Sequence, residues 1–186
     1  MASSVKAAKI KNTFYKCAVY GIALFFIAVL QVTFFSSINI LSASPDLLLG
    51  ATVTFALKED HRTSAVCGII AGFFYCALGG FSYPIYILFS FLCGYILWSI
   101  AERTLGKNYV SFLILSLIAY GLKCLYNLFE ISLNASSFNI VDAFLYIILP
   151  DFISSVAFCS VAYLITSAFT LIFSKKSKPR KDGVSK

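Results

Sequence analysis

Six polar side chains punctuate a single apolar stretch: Ser116, Tyr120, Lys123, Asn127, Glu130 and Asn134. The steps between them are four, three, four, three and four residues, which puts all six on one face of an α-helix. A lysine and a carboxylate among amides and a phenol can do one of three things. They can pack or snorkel toward a polar surface, make a polar contact with another helix or a partner, or line a ligand or proton path. Lys123 and Glu130 share this face, so removing both is expected to be milder than removing either one. Three further polar residues stand in apolar surroundings: Gln31, Asp46 and Asp151. A buried Gln31 needs a hydrogen-bond partner. Asp151 follows Pro150, where an acid in the first turn of a helix meets the positive end of the helix dipole. Gly68-Ile69-Ile70-Ala71-Gly72 is a GxxxG pattern, and small residues four apart let another helix approach closely.

Catalytic constellations do not assemble from these residues. His61 is the single histidine and sits among charged residues. The cysteines, Cys17, Cys67, Cys76, Cys93, Cys124 and Cys159, lie apart in apolar runs without paired spacing, so they read as small buried hydrophobes. No nucleophile–base pair, metal cluster or phosphate loop can be built, so the expectation is a non-enzymatic chain without cofactor or metal. Asn134-Ala135-Ser136 fits a glycosylation sequon, which matters only in a eukaryotic secretory pathway.

The elements that must position these residues are membrane helices. Of 186 residues, 60% are hydrophobic and 12% charged. Soluble domains carry about 25% charged residues, so this much apolar surface needs a membrane to cover it. A span takes about 20 apolar residues, fewer where neighbouring protein covers its ends. The sequence predicts a first helix from Cys17 to near Leu41. Ser42-Ala43-Ser44 resembles a cleavage site, but the preceding run exceeds the roughly 7–15 residues of a signal peptide's apolar core. A short or tilted second helix follows over 47–57, started by Pro45 and shielded by its neighbours. The uncharged run from Thr63 to Ala101 divides at Gly79-Gly80 and Pro84 into helices over 63–78 and 85–101. A fifth helix spans Tyr109 to Leu133. The run from Ala143 to Phe173 divides at Pro150, leaving 143–149 near the interface and starting helix six at Pro150. The fold class is therefore all-α integral membrane protein with six transmembrane helices.

Charge follows the same count. Lys6, Lys9, Lys11 and Lys16 precede the first helix, Lys58 and Arg62 follow the second, Arg103 and Lys107 follow the fourth, and the tail is rich in lysine. The segments near 42–46, 79–84 and 134–142 have no Lys or Arg. The positive-inside rule then predicts both termini in the cytoplasm. The chain divides into a basic cytoplasmic N-terminus over 1–16, a membrane domain over 17–174 and a basic tail over 175–186. The net charge of +7, concentrated at the ends, points to anionic lipid headgroups and not to nucleic acid.

Several motifs occur in a known order. They are Gln31-Val32-Thr33, Pro45-Asp46-Leu47-Leu48-Leu49, the charged turn 58–62, Gly68-Ile69-Ile70-Ala71-Gly72-Phe73, Leu78-Gly79-Gly80 and Gly94-Tyr95-Ile96-Leu97. Over about residues 14–174 the chain resembles the MreD family, the rod shape-determining membrane proteins of bacteria. Two positions differ from the usual pattern. Tyr75-Cys76 stands where many members carry an acid, and Ser154-Ser155 stands where an Asn is common after Pro and an acid. The resemblance implies a non-enzymatic role in the bacterial plasma (inner) membrane, within the machinery that builds lateral peptidoglycan. It implies association with an MreC-like protein, and through it with MreB and with RodA and its penicillin-binding transpeptidase. The family's fold is similar to the substrate-binding subunit of energy-coupling-factor transporters, so a vitamin-binding transporter subunit is the alternative expectation.

Overall fold

A computed structural model describes residues 2–35, 45–79, 84–104, 106–134 and 140–176, with side chains over 15–34, 45–78, 84–103, 106–133 and 142–170. The elements run α1 (Ala2–Leu30), a π-helical turn (Gln31–Phe35), α2 (Leu47–Lys58), α3 (His61–Gly79), α4 (Ile85–Thr104) and α5 (Tyr109–Asn134). Then come α6 (Ile140–Ala143), a second π-helical turn (Phe144–Ile148) and α7 (Leu149–Lys176). Five stretches are long and apolar enough to cross a membrane, Tyr15–Phe34, His61–Leu78, Ile85–Arg103, Tyr109–Leu133 and Phe144–Thr170, and α2 is a shorter apolar helix. The chain is an all-α, multi-pass membrane protein.

The short helix is the axis of the bundle. Every residue from Leu47 to Leu57 is buried, and α1, α3, α4, α5 and α7 all pack against it. A helix clad in protein need not match the lipid thickness, so 12 residues suffice here. Its own hydroxyls are satisfied internally: Thr52 donates to the Leu48 carbonyl and Thr54 to the Gly50 carbonyl, each at 3.0 Å. One side of α2, with Leu48 and Phe55, packs against Tyr20, Leu24 and Ile27 of α1 and Ala71 of α3. The other side, with Leu49, Val53 and Leu57, meets Leu97 of α4, Phe112 and Leu115 of α5 and Cys159 of α7.

Helices α3 and α4 form the closest pair. A Cβ built at Gly68 would stand 2.5 Å from the Ser90 carbonyl oxygen, and one at Gly72 would stand 2.9 Å from the Ile87 Cα. From the other side, a Cβ at Gly94 would lie 2.7 Å from the Ser64 carbonyl oxygen. Ser64 Oγ donates to the Gly94 carbonyl at 2.8 Å and ties the two backbones together. The GxxxG pattern is thus spent inside the bundle, on α4.

Ion and hydroxyl contacts gather the helix ends at the end of the bundle where α2 finishes. Glu59 accepts from Lys16 Nζ at 3.2 Å and from the Tyr20 hydroxyl at 2.5 Å. Lys58 Nζ donates to Ser167 Oγ and sits 4.7 Å from the Tyr163 ring centre. Lys107 Nζ donates to the Lys58 carbonyl at 3.1 Å.

Two sequence expectations about helix starts are corrected. Pro45 does not start α2: Asp46 is the N-cap and Leu47 the first helical residue, because an Asp side chain can accept a backbone N–H and a proline cannot. Pro150 does not start the last helix. The backbone is already helical at Ile140, and Leu149 N–H donates to the Phe144 carbonyl five residues back. This wider turn ends just before Pro150, which has no N–H to offer, and the backbone stays helical across it. The first helix is α-helical only to Leu30, where the π turn begins. Its expected end near Leu41 lies outside the described residues, as do the 42–44, 80–83 and 135–139 segments and most of the basic tail.

Candidate functional site

Opposite the Glu59 end, the N-terminus of α2 lies buried in the bundle. A helix start leaves unpaired N–H groups, and protein must satisfy them where water is excluded. Gln31 Oε1, at the π turn that ends α1, accepts from Leu47 N at 2.9 Å and Leu48 N at 3.2 Å. Asp46 Oδ1 accepts from Leu49 N at 3.1 Å. The Asp46 backbone is held as well: its N–H donates to Ser155 Oγ at 3.0 Å, and its carbonyl accepts from the Tyr120 hydroxyl at 2.7 Å. Gln31 therefore has its partner, and that partner is a helix cap.

The second carboxylate oxygen of Asp46 faces a lysine. Asp46 Oδ2 lies 3.1 Å from Lys123 Nζ and accepts from the Tyr86 hydroxyl at 2.8 Å. Lys123 Nζ lies at the same 3.1 Å from Asp151 Oδ2. Asn127 Nδ2 also donates to that oxygen, at 3.1 Å. The Lys123 and Asp46 side chains are 3% and 0% exposed, while that of Asp151 is 18% exposed. The Tyr75 ring of α3 has its centre 5.5 Å from Lys123 Nζ and stacks on Tyr86 at 4.2 Å. One lysine is thus shared by two carboxylates, with four helices and the cap of α2 converging on it.

The face of α5 is therefore a helix contact over most of its length. Ser116 is buried, Tyr120 holds α2, and Lys123 and Asn127 reach Asp46 and Asp151. Glu130 is half-buried farther along, and the side chain of Asn134 lies outside the described residues. Snorkelling of Lys123 is corrected: at 3% exposure it turns inward, because the buried Asp46 and the half-buried Asp151, each 3.1 Å away, outweigh a distant polar surface. Asp151 lies in the first turn of α7, as expected, and its carboxylate is held by Lys123 and Asn127 of α5. Gly68 and Gly72 stand apart from this cluster, on the α4 side of α3.

Sequence reasoning missed Tyr86, Tyr75 and Ser155. Tyrosines abound in this chain and carry no spacing signal, and Tyr75 and Ser155 stand out in the sequence only as positions where another residue is common in the family resembled. The Glu59 cluster with Lys16 and Tyr20 was also missed, because a charged turn reads as solvated. Cys67, Cys93 and Cys159 are buried, Cys17, Cys76 and Cys124 half-buried, and all six are free thiols. The His61 ring lies 5.0 Å from that of Trp98.

No family model, curated protein or solved structure matches this chain.

Proposed function

We propose that this chain is a non-enzymatic, MreD-like subunit of the bacterial cell-elongation machinery, working in the cytoplasmic membrane beside an MreC-like partner. One observation carries the reading: separate motifs that resemble the family meet in one structural unit. Gln31 and Asp46, from the first two motifs, jointly cap α2. The two positions that differ from the family pattern touch the same unit. Tyr75 faces Lys123, and Ser155 accepts from the Asp46 N–H. A ring face is a weak acceptor for a cation, so Tyr75 does in milder form what an acid would do there. Ionic contacts made wholly within the bundle suit a scaffold that presents its outer surfaces to other subunits. In this reading MreB, RodA and its penicillin-binding transpeptidase are reached through the MreC-like partner, and both termini are cytoplasmic.

A second reading, a small-molecule-binding transporter subunit, is supported by the partly exposed Asp151 in a polar cluster between helices. Two measurements in a strain depleted of the chain separate them. The elongation reading expects rods to widen and round, and an epitope-tagged chain to recover the MreC-like protein from solubilised membranes. Lost uptake of a labelled vitamin, with cell width and recovery unchanged, would overturn it in favour of the transporter reading.

A further inference from the structure

Three lysines among the described residues are not exposed: Lys16, Lys58 and Lys123. Two of them have acids. Lys16 pairs with Glu59, and Lys123 with Asp46 and Asp151. Lys58 pairs with no carboxylate among the described residues. Its ammonium donates to Ser167 Oγ and lies 4.7 Å from the centre of the Tyr163 ring, both on α7. A hydroxyl and a ring face solvate a cation without neutralising it.

A second cation joins it. Lys107, exposed in the turn before α5, donates to the Lys58 carbonyl at 3.1 Å. The C-terminus of α2 carries about half a negative charge, which offsets less than one of the two ammoniums. The adjacent acid, Glu59, is taken by Lys16 and Tyr20 of α1. Asp60 and Glu102 are exposed and form no ion pair with either lysine. Helix ends fix the depth of this seam between α5 and α7. Tyr109 opens the apolar span of α5, and the span of α7 closes at Thr170, just past Ser167. The Tyr109 ring is exposed and lies 5.3 Å from that of Tyr163. Tyrosines at the margin of a span mark the level of lipid headgroups.

We propose that Lys58 and Lys107 hold the phosphate of an anionic membrane lipid at this seam, with Ser167 as the hydroxyl that positions Lys58. An ammonium binds phosphate as a point charge, and basic pockets between membrane helices recognise such headgroups. Val110 and Leu164, next to the two tyrosines in sequence, are exposed and give acyl chains an apolar surface. The site differs from diffuse attraction by the basic termini, because it needs two particular lysines. The inference does not depend on the cellular role proposed above.

Native mass spectrometry of the full chain in neutral detergent, with added phosphatidylglycerol or phosphatidylcholine, tests it. The wild type should bind phosphatidylglycerol about tenfold more tightly than phosphatidylcholine. Lys58→Gln with Lys107→Gln should cut that preference to about twofold or less. If this pair of changes prevents folding, Lys107→Gln alone, at an exposed residue, should lower the preference about threefold. Lys9→Gln with Lys11→Gln removes the same charge from the N-terminal segment and should leave the preference within about twofold of wild type. No preference in the wild type, or equal losses in the two double variants, would overturn the site. Inorganic phosphate at the concentration of the lipid should leave the lipid bound. Displacement would overturn the lipid as ligand in favour of free phosphate.

Discussion

Lys123 is the sole basic residue between Lys107 and Lys175, and its energetics differ from those of a surface lysine. Removing it strands Asp46, at 0% exposure, with only hydrogen-bond donors for company. Breaking a buried pair from one side costs about 3–5 kcal/mol, much of it the penalty on the charge left behind. Lys123→Leu should therefore markedly lower the melting temperature of the detergent-purified protein. Adding Asp46→Asn to that variant should recover part of the loss, because the amide still accepts from Leu49 N and is not charged. A double variant no more stable than Lys123→Leu alone would show that the charge itself is not what destabilises. The compensating partner is a residue of the α2 cap and not Glu130, seven positions along α5, since Lys123 pairs with Asp46 and Asp151 across the bundle. His61 and the half-buried thiols lie outside this cluster. If the proposed function holds, replacing His61 and the half-buried Cys17, Cys76 and Cys124 with alanine should leave cell shape and recovery of an MreC-like partner unchanged. Loss of either at normal membrane levels would point to chemistry at one of them.

At the scale of elements, the α3–α4 pair makes the sharpest forecast. A methyl at Gly68 would meet the Ser90 carbonyl oxygen at 2.5 Å, where the obstruction is backbone and cannot rotate away. Gly68→Ala should cost about 1–3 kcal/mol, as overpacked sites do. Gly121, on α5, has nothing within 4 Å of an added Cβ. Gly121→Ala should be neutral or stabilise by up to about 1 kcal/mol through helix propensity. Thermal melts of the two variants side by side check the contrast, and equal shifts would contradict the packing described.

Helix positions were largely legible in the sequence, and the reasons are physical. Apolar runs bounded by charge define spans, so the expected 63–78, 85–101 and 109–133 lie within a few residues of α3, α4 and α5. The α5 stripe was legible as one face because helical periodicity is local. Its partners were not, since Asp46 and Asp151 are distant in sequence and nothing local says which acid a lysine will meet. Pro150 misled because a proline is a boundary only when the helix cannot rearrange ahead of it, and here a π turn does so.

Over the whole molecule, contacts sort the chain into two ends. Lys16 meets Glu59, Lys58 meets Ser167 and Lys107 meets the Lys58 carbonyl, so the outer parts of α1 and α7 and the turn after α4 share one end. Gln31, Asp46, Asn127 and Asp151 share the other. The basic residues crowd the first end, so the positive-inside rule leads us to expect that end on the cytoplasmic side. Reporter fusions near residues 60, 105 and 180 should report an inside location, and those near 43, 82 and 138 an outside one. A C-terminal fusion active only outside the membrane would invert or break this arrangement.

The complete enclosure of α2 bears on how the protein is made. A helix of 12 residues with a charged cap and two threonines is a poor candidate for leaving the translocon into lipid by itself. Its walls are delivered in order, α1 before it and α3, α4 and α5 after, and the side facing Cys159 and Ala162 comes last. Until α7 emerges, Asp46 lacks Ser155, and Lys123 lacks its second carboxylate. Ribosome-bound chains halted before residue 140 should thus carry an unsheltered second helix, open to proteases that survey the membrane. The released full-length chain should resist such cleavage. Helix α7 closes the assembly during biosynthesis, so truncations that remove part of α7 should be far less tolerated than trimming of the basic tail.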